Sequence, residues 1–244
     1  MADDKLKFGW GNKKLAEHIL TFSLPAGWTC PGAHRCQTFA SEYTGKITDG
    51  KHQTFRCFSA TSEAAFTSVR AARWHNYRLL DDARKRAKEY FIRTAWSLRA
   101  QETIEMRELI EYSLPIVRPR LMRVHVSGDF FSQSYFDAWL QVAALNPNTR
   151  FYAYTKSLHF WRKRASHVPK NFMLTASIGG KYDELAKELR AKTATVVPAK
   201  VDAGEMPIDT DDSHAYAGKR PFALLLHGTQ PRGGHKMHTI DSPE

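Results

Sequence analysis

Residues 121–157 read LMRVHVSGDFFSQSYFDAWLQVAALNPNTRFYAYTKS. Two apolar runs, 121–126 and 151–154, enclose a stretch whose apolar residues Phe136, Trp139, Leu140 and Val142 recur at helical spacing. The runs are short and each ends in small polar residues, Ser127-Gly128-Asp129 and Thr155-Lys156-Ser157. That is a strand, a helix over 134–144 and a second strand, joined by connections of a few residues. Alternation of this kind favours parallel strands with right-handed crossovers.

The pattern continues outward. Strands are expected at 172–175, 195–197 and 222–226, with helices at 158–165 and 182–190. Upstream, HILTFSL at 18–24 alternates and ends at Pro25-Ala26-Gly27, as a strand entering a turn does. Residues 62–98 and 101–112 have helical periodicity, closed by Pro115 and Pro119. About six strands result, one before residue 29 and five after Pro119. The expected fold is α/β, a partial (β/α) TIM-like barrel of mostly parallel strands with a helical insertion. One domain is expected over 1–244: 17–60 holding the first strand and a cysteine loop, 61–116 the helices, 121–231 the βα units and 232–244 a tail.

The chain has 244 residues, of which 42% are hydrophobic, and a net charge of +11. This is globular composition, which excludes a disordered chain. No run approaches the roughly 20 apolar residues of a membrane span, and the N-terminus lacks a signal-peptide core. A cytoplasmic protein with no membrane contact is expected. The positive charge favours anionic ligands, nucleic acid among them. Arg84-Lys85-Arg86 and Lys88 lie in a helix, and 150–170 carries six basic residues and no acidic one. No helix-turn-helix or paired-aromatic RNA signature accompanies them.

In parallel α/β architectures ligands bind beyond the carboxyl ends of the strands. Those ends supply Asp129, Lys156 and His227 as candidate catalytic groups. Ser127, Gly128, Asp129, Thr155, Ser157 and Ser177 are candidate cofactor-binding residues. Turn formation alone would also explain many of them.

Residues 29–58 show no sustained periodicity and hold all three cysteines, Cys30, Cys36 and Cys57, spaced C-x5-C-x20-C. A loop this long needs an organising ligand or a function. Three thiolates suit an iron–sulfur cluster with one iron open, or zinc with His34, His52 or His75 as fourth ligand. Buried, unrelated thiols are the third reading. The run DTDDSH at 209–214 offers Asp211, Asp212 and His214, with His227, to a metal-dependent hydrolase.

The phrases SLPAGWTCPGA (23–33), RCFSA (56–60), RWHN (73–76), RVHVSGDFFSQSYFDAW (123–139), FYAYTKS (151–157), LTASIGG (174–180), DDSHA (211–215) and FALLLHGTQP (222–231) resemble the actinobacteriophage gene product 88 family. The resemblance runs from about residue 22 to 231 and implies a protein of the host cytoplasm. A more distant similarity is to radical S-adenosylmethionine proteins. There a cysteine loop after the first strand holds a [4Fe-4S] cluster, and a glycine–acid pair after the second strand contacts the cofactor's amino group. That similarity implies Cys30, Cys36 and Cys57 as cluster ligands, with Gly128 and Asp129 in the glycine–acid position. It further implies S-adenosylmethionine as cofactor. Without that cofactor, Asp129, His75, His125 and His227 are candidates for the fourth ligand. The usual cysteine spacing there is C-x3-C-x2-C, from which this chain departs.

Overall fold

Short apolar runs separated by turn residues become strands because both faces of the sheet are covered. In the computed structural model, which describes residues 3–12, 14–95 and 97–231, the elements in chain order begin with β1 (Gly9–Trp10), β2 (Ile19–Ser23), β3 (Thr38–Ala40) and β4 (Ile47–Asp49). Three helices follow: α1 (Phe58–Ala65), α2 (Thr67–Thr94) and α3 (Leu98–Ser113). The βα units are β5 (Leu121–Ser127), α4 (Gln133–Leu145), β6 (Arg150–Thr155), α5 (Leu158–Arg162), β7 (Phe172–Ser177), α6 (Glu184–Glu188), β8 (Thr193–Val197), α7 (Ser213–Tyr216) and β9 (Phe222–Leu225). The tail expected at 232–244 lies outside the described residues.

Seven strands form one sheet in the order β1-β2-β5-β6-β7-β8-β9. The six expected strands are β2 and β5 to β9, all parallel and in chain order, and β1 adds an antiparallel edge. The sheet is an α/β sheet with two separate edges, not a closed barrel. Strand alternation splits the side chains. Leu20, Phe22, Met122, Val124, Phe151, Phe172 and Leu174 pack with Leu80, Met106, Ile110 and Trp139 from α2, α3 and α4. Ile19, Leu121, Tyr152, Ala194 and Phe222 face the opposite way, onto Leu15 and Ala215.

Three expectations need correction. The aperiodic stretch 29–58 contains the β3–β4 hairpin, a separate two-stranded sheet. The helix expected over 62–98 is two helices, broken at Phe66, whose backbone is extended. Neither Gly nor Pro marks that break. Arg70 holds it from the far side: its Nη1 donates to the Glu63 carbonyl at 2.6 Å and its Nε to the Glu42 carbonyl at 2.9 Å, capping the open end of α1. The strand expected at 195–197 begins at Thr193.

On the second face of the sheet a buried ionic network closes the interior. Asp212 is fully buried. It accepts from Arg123 Nη1 at 2.5 Å, Lys14 Nζ at 2.8 Å and the Tyr152 and Tyr154 hydroxyls, each at 3.2 Å. Burial pushes the Asp212 carboxyl up, but Arg123 and Lys14 outweigh it and hold the group below the usual carboxylate range.

Between the register pairs Thr21–Arg123 and Ser23–Ser127, β5 carries two more residues than β2. His125 sits in this bulge with φ +68°, a conformation costing a non-glycine residue about 1 kcal/mol or more. Its Nε2 lies 3.0 Å from the Tyr135 hydroxyl, and the ring is buried against Phe130. Burial, with Arg123 adding, lowers its pKa to about 3. An unfolded imidazole titrates near 6.5, so between about pH 6.5 and 3 the unfolded chain takes up a proton that the folded chain refuses. This contribution to stability is complete above pH 6.5 and declines by about 1.4 kcal/mol per pH unit below it. Urea unfolding of wild type and His125→Asn, whose side chain tolerates positive φ, is expected to show that extra acid slope in the wild type alone. Parallel slopes would refute it.

Candidate functional site

Three strand ends and one loop meet at the carboxyl edge of the sheet. Gly32 lies so close to β6 that a Cβ there would sit 2.1 Å from the Lys156 carbonyl oxygen. The Lys181 amide donates to the Gly32 carbonyl at 2.9 Å, and the Arg35 amide to that of Gly179 at 3.0 Å. Ala33 bridges to Gly180. Gly128, at φ +79°, leaves no room for a side chain beside Thr29 and Leu24. The segment carrying Cys30 and Cys36 is thereby laid across the ends of β5, β6 and β7.

Cys57 reaches the same region from another direction, as the residue before α1. Its amide donates to Thr38 Oγ1 at 3.2 Å. At the other end of the chain, the Gln230 side chain accepts from the Arg56 amide at 2.8 Å and donates to the Arg56 carbonyl at 3.1 Å. Phe58 packs on His227 with ring centroids 4.4 Å apart. Glu63, fully buried on α1, accepts from the Ala26 amide and from Arg73 Nη1, each at 2.8 Å, and from Ser127 Oγ at 3.3 Å. Burial raises its pKa against the pull of Arg73, and its Oε2 has no partner among the described residues.

The three thiols are half-buried and free. Burial pushes Cys30 well above the usual thiol range, helped by the negative charges of Asp129, Cys57 and Cys36. Cys36 is pushed up to about 11 by burial, with Cys57 and Asp129 adding and Lys156 opposing. Among the described residues, no group of three or more His, Cys, Asp or Glu is arranged as a metal site.

The strand-end residues mostly hold each other. Asp129 accepts from Thr155 Oγ1 at 2.7 Å, from its neighbour's amide at Phe130 at 2.7 Å and from the Lys156 amide at 2.8 Å. Burial still raises its pKa over these bonds. Ser157 Oγ donates to the Phe130 carbonyl. Lys156 is buried, and its ammonium donates to Ser177 Oγ at 2.5 Å and to the carbonyls of Ser177 and Ile178. These bonds clamp β5 to β6 and β6 to β7.

His227 is exposed beside Phe58, with its pKa lowered by burial of part of the ring and then by Lys14 and Arg123. His34 and His52 stack on each other at 4.5 Å. His75 bonds instead to the Lys5 carbonyl, on the N-terminal segment. Asp211 is exposed and accepts from the Ser213 amide, while Asp212 is engaged with Arg123 and Lys14. The sequence reading missed Glu63. The available signal was a lone acid in the small, apolar stretch 58–72, with arginines seven and ten residues on.

Protonated thiols react slowly, so Cys30 and Cys36 are expected to resist a thiol reagent at pH 8. Gly32→Ala forces the loop off Lys156 and is expected to cost about 2–3 kcal/mol and to speed labelling of Cys30 and Cys36 at least about tenfold. Unchanged stability and labelling would mean that the loop is not docked there.

Comparison with known proteins bears on the whole chain. No solved structure matches it. The Gene 88 protein of Mycobacterium phage L5 is 31% identical over 103 residues, which is 41% of this chain and 38% of that protein. The alignment thus spans about two fifths of either sequence. The profile of the family described as Gene product 88 matches residues 2–242, and the chain belongs to that family.

Proposed function

We propose that the chain is an iron–sulfur protein that holds a [4Fe-4S] cluster through Cys30, Cys36 and Cys57. The observation that carries this reading is the docking of the loop bearing Cys30 and Cys36 over the carboxyl ends of parallel strands, with all three thiols free. The donor set fits: three soft sulfur ligands, no fourth cysteine, and a carboxylate beside them. The parallel strands in chain order fit the arc of a partial (β/α) barrel, whose ligands sit at this edge. When bound, the cluster would supply an electron and an open iron.

The protein's own groups have separate tasks. Lys156 lowers the cost of thiolate at Cys36. Asp129, anchored by Thr155 and the Lys156 amide, would in this reading receive a cofactor ammonium. S-adenosylmethionine carries such a group, which supports the radical-enzyme version of this reading. Zinc is the competing metal.

The thiols must lose protons on binding metal, so loading is expected to strengthen steeply between pH 7 and 9, up to about tenfold per unit for each proton released. Anaerobic reconstitution with ferrous iron and sulfide should give a brown protein. Any single Cys→Ala change should leave less than about a tenth of the iron. Zinc without sulfide in the purified protein, or full iron and sulfide in Cys57→Ala, would overturn the cluster. Incubating the reduced protein with S-adenosylmethionine and measuring 5′-deoxyadenosine tests the enzyme version, with Asp129→Asn as the expected inactive variant.

A further inference from the structure

A concavity lies between α3 and α4. It has a volume of about 690 Å³, large enough for a nucleotide-sized group. Ile104, Leu140 and Pro169 give it apolar surface. Arg99 lines it from α3, and Arg164 and His167 from the segment after α5. Asp137 is the one acid among its lining residues, and Arg164 neutralises it at 2.6 Å.

The surrounding charge is one-sided. Between 84 and 99 there are six basic residues and one acid. Arg84, Lys85 and Arg86 are paired with acids of α2 and α3. Lys88, Arg93 and Arg99 are exposed and have no ion-pair partner among the described residues, as is true of Lys163 and Lys170 beyond the other wall. The stretch 150–170 therefore divides: Lys156 is spent inside on the strand ends, while Lys163, Arg164 and Lys170 serve this outer surface. At the end of α2, just before Ser97 of the groove, Tyr90 and Phe91 are 46% and 37% exposed.

We infer that this groove, with the exposed rings at the end of α2, docks single-stranded nucleic acid. Unpaired cations on both sides match a polyanion. The apolar surface and the exposed rings offer contact to unstacked bases, which a duplex keeps covered. A second copy of the chain would bring like charges together. A lipid surface is flat, whereas this site is concave.

The test is fluorescence anisotropy with a labelled oligothymidylate at low salt, on wild type, on the double variant Arg99→Glu/Lys163→Glu, and on Lys51→Glu as a distant charge control. Binding is expected to weaken with added salt, to fall at least about tenfold in the double variant and to stay within about twofold in the control. Circular dichroism checks that the variants fold. Cys57→Ala should bind as wild type, so loss of the cluster and loss of this surface read separately. Equal affinity in both charge variants, or no salt-sensitive binding, overturns the proposal. So does retention on phosphatidylglycerol vesicles without oligonucleotide binding.

Discussion

One buried carboxylate sets where the candidate site can form. Glu63 draws the Ala26 amide after β2, Arg73 of α2 and Ser127 at the end of β5 onto a single side chain. Breaking a buried pair of this kind by removing one partner costs about 3–5 kcal/mol, because the other charge is left stranded. Glu63 lies on the short helix that begins right after Cys57. The grip on Glu63 therefore fixes the third thiol relative to the loop that carries the first two. Arg70, reaching back to the Glu63 carbonyl, keeps that helix short and turns the chain into α2.

The parallel strands were legible because each is an apolar run bounded by turn residues, as at Phe172–Ser177. The hairpin of β3 and β4 was not, since three-residue strands such as Thr38–Ala40 carry no period long enough to count. The break at Phe66 was hidden because its cause is Arg70 bonding to two carbonyls, one of them 28 residues back in sequence. The cysteines were legible as a group in the sequence, but among the described residues they are not arranged with other donors as a metal site.

The strand-end residues teach the finer limit. Asp129, Thr155, Lys156, Ser157 and Ser177 were read as residues lining a cavity. Their side chains are largely bonded to one another and to neighbouring backbone. A ligand-binding serine and a serine that ties two strands have the same spelling. Only the identity of the partner atom separates them, and that comes from parts of the chain far apart in sequence.

The pairing of Gln230 with the backbone of Arg56 spans 174 residues. It joins the exit of the last strand to the residue just before Cys57, which has consequences for how the protein is made. Synthesis runs from the N-terminus, and the three cysteines leave the ribosome long before residue 230 does. The segment next to the third thiol acquires this support only after β9 has been made. Ordering contacts of such long range is slow, because loop closure must precede any gain from the contact. A nascent chain stalled before β9 would therefore hold Cys57 without the Gln230 clasp on the residue before it.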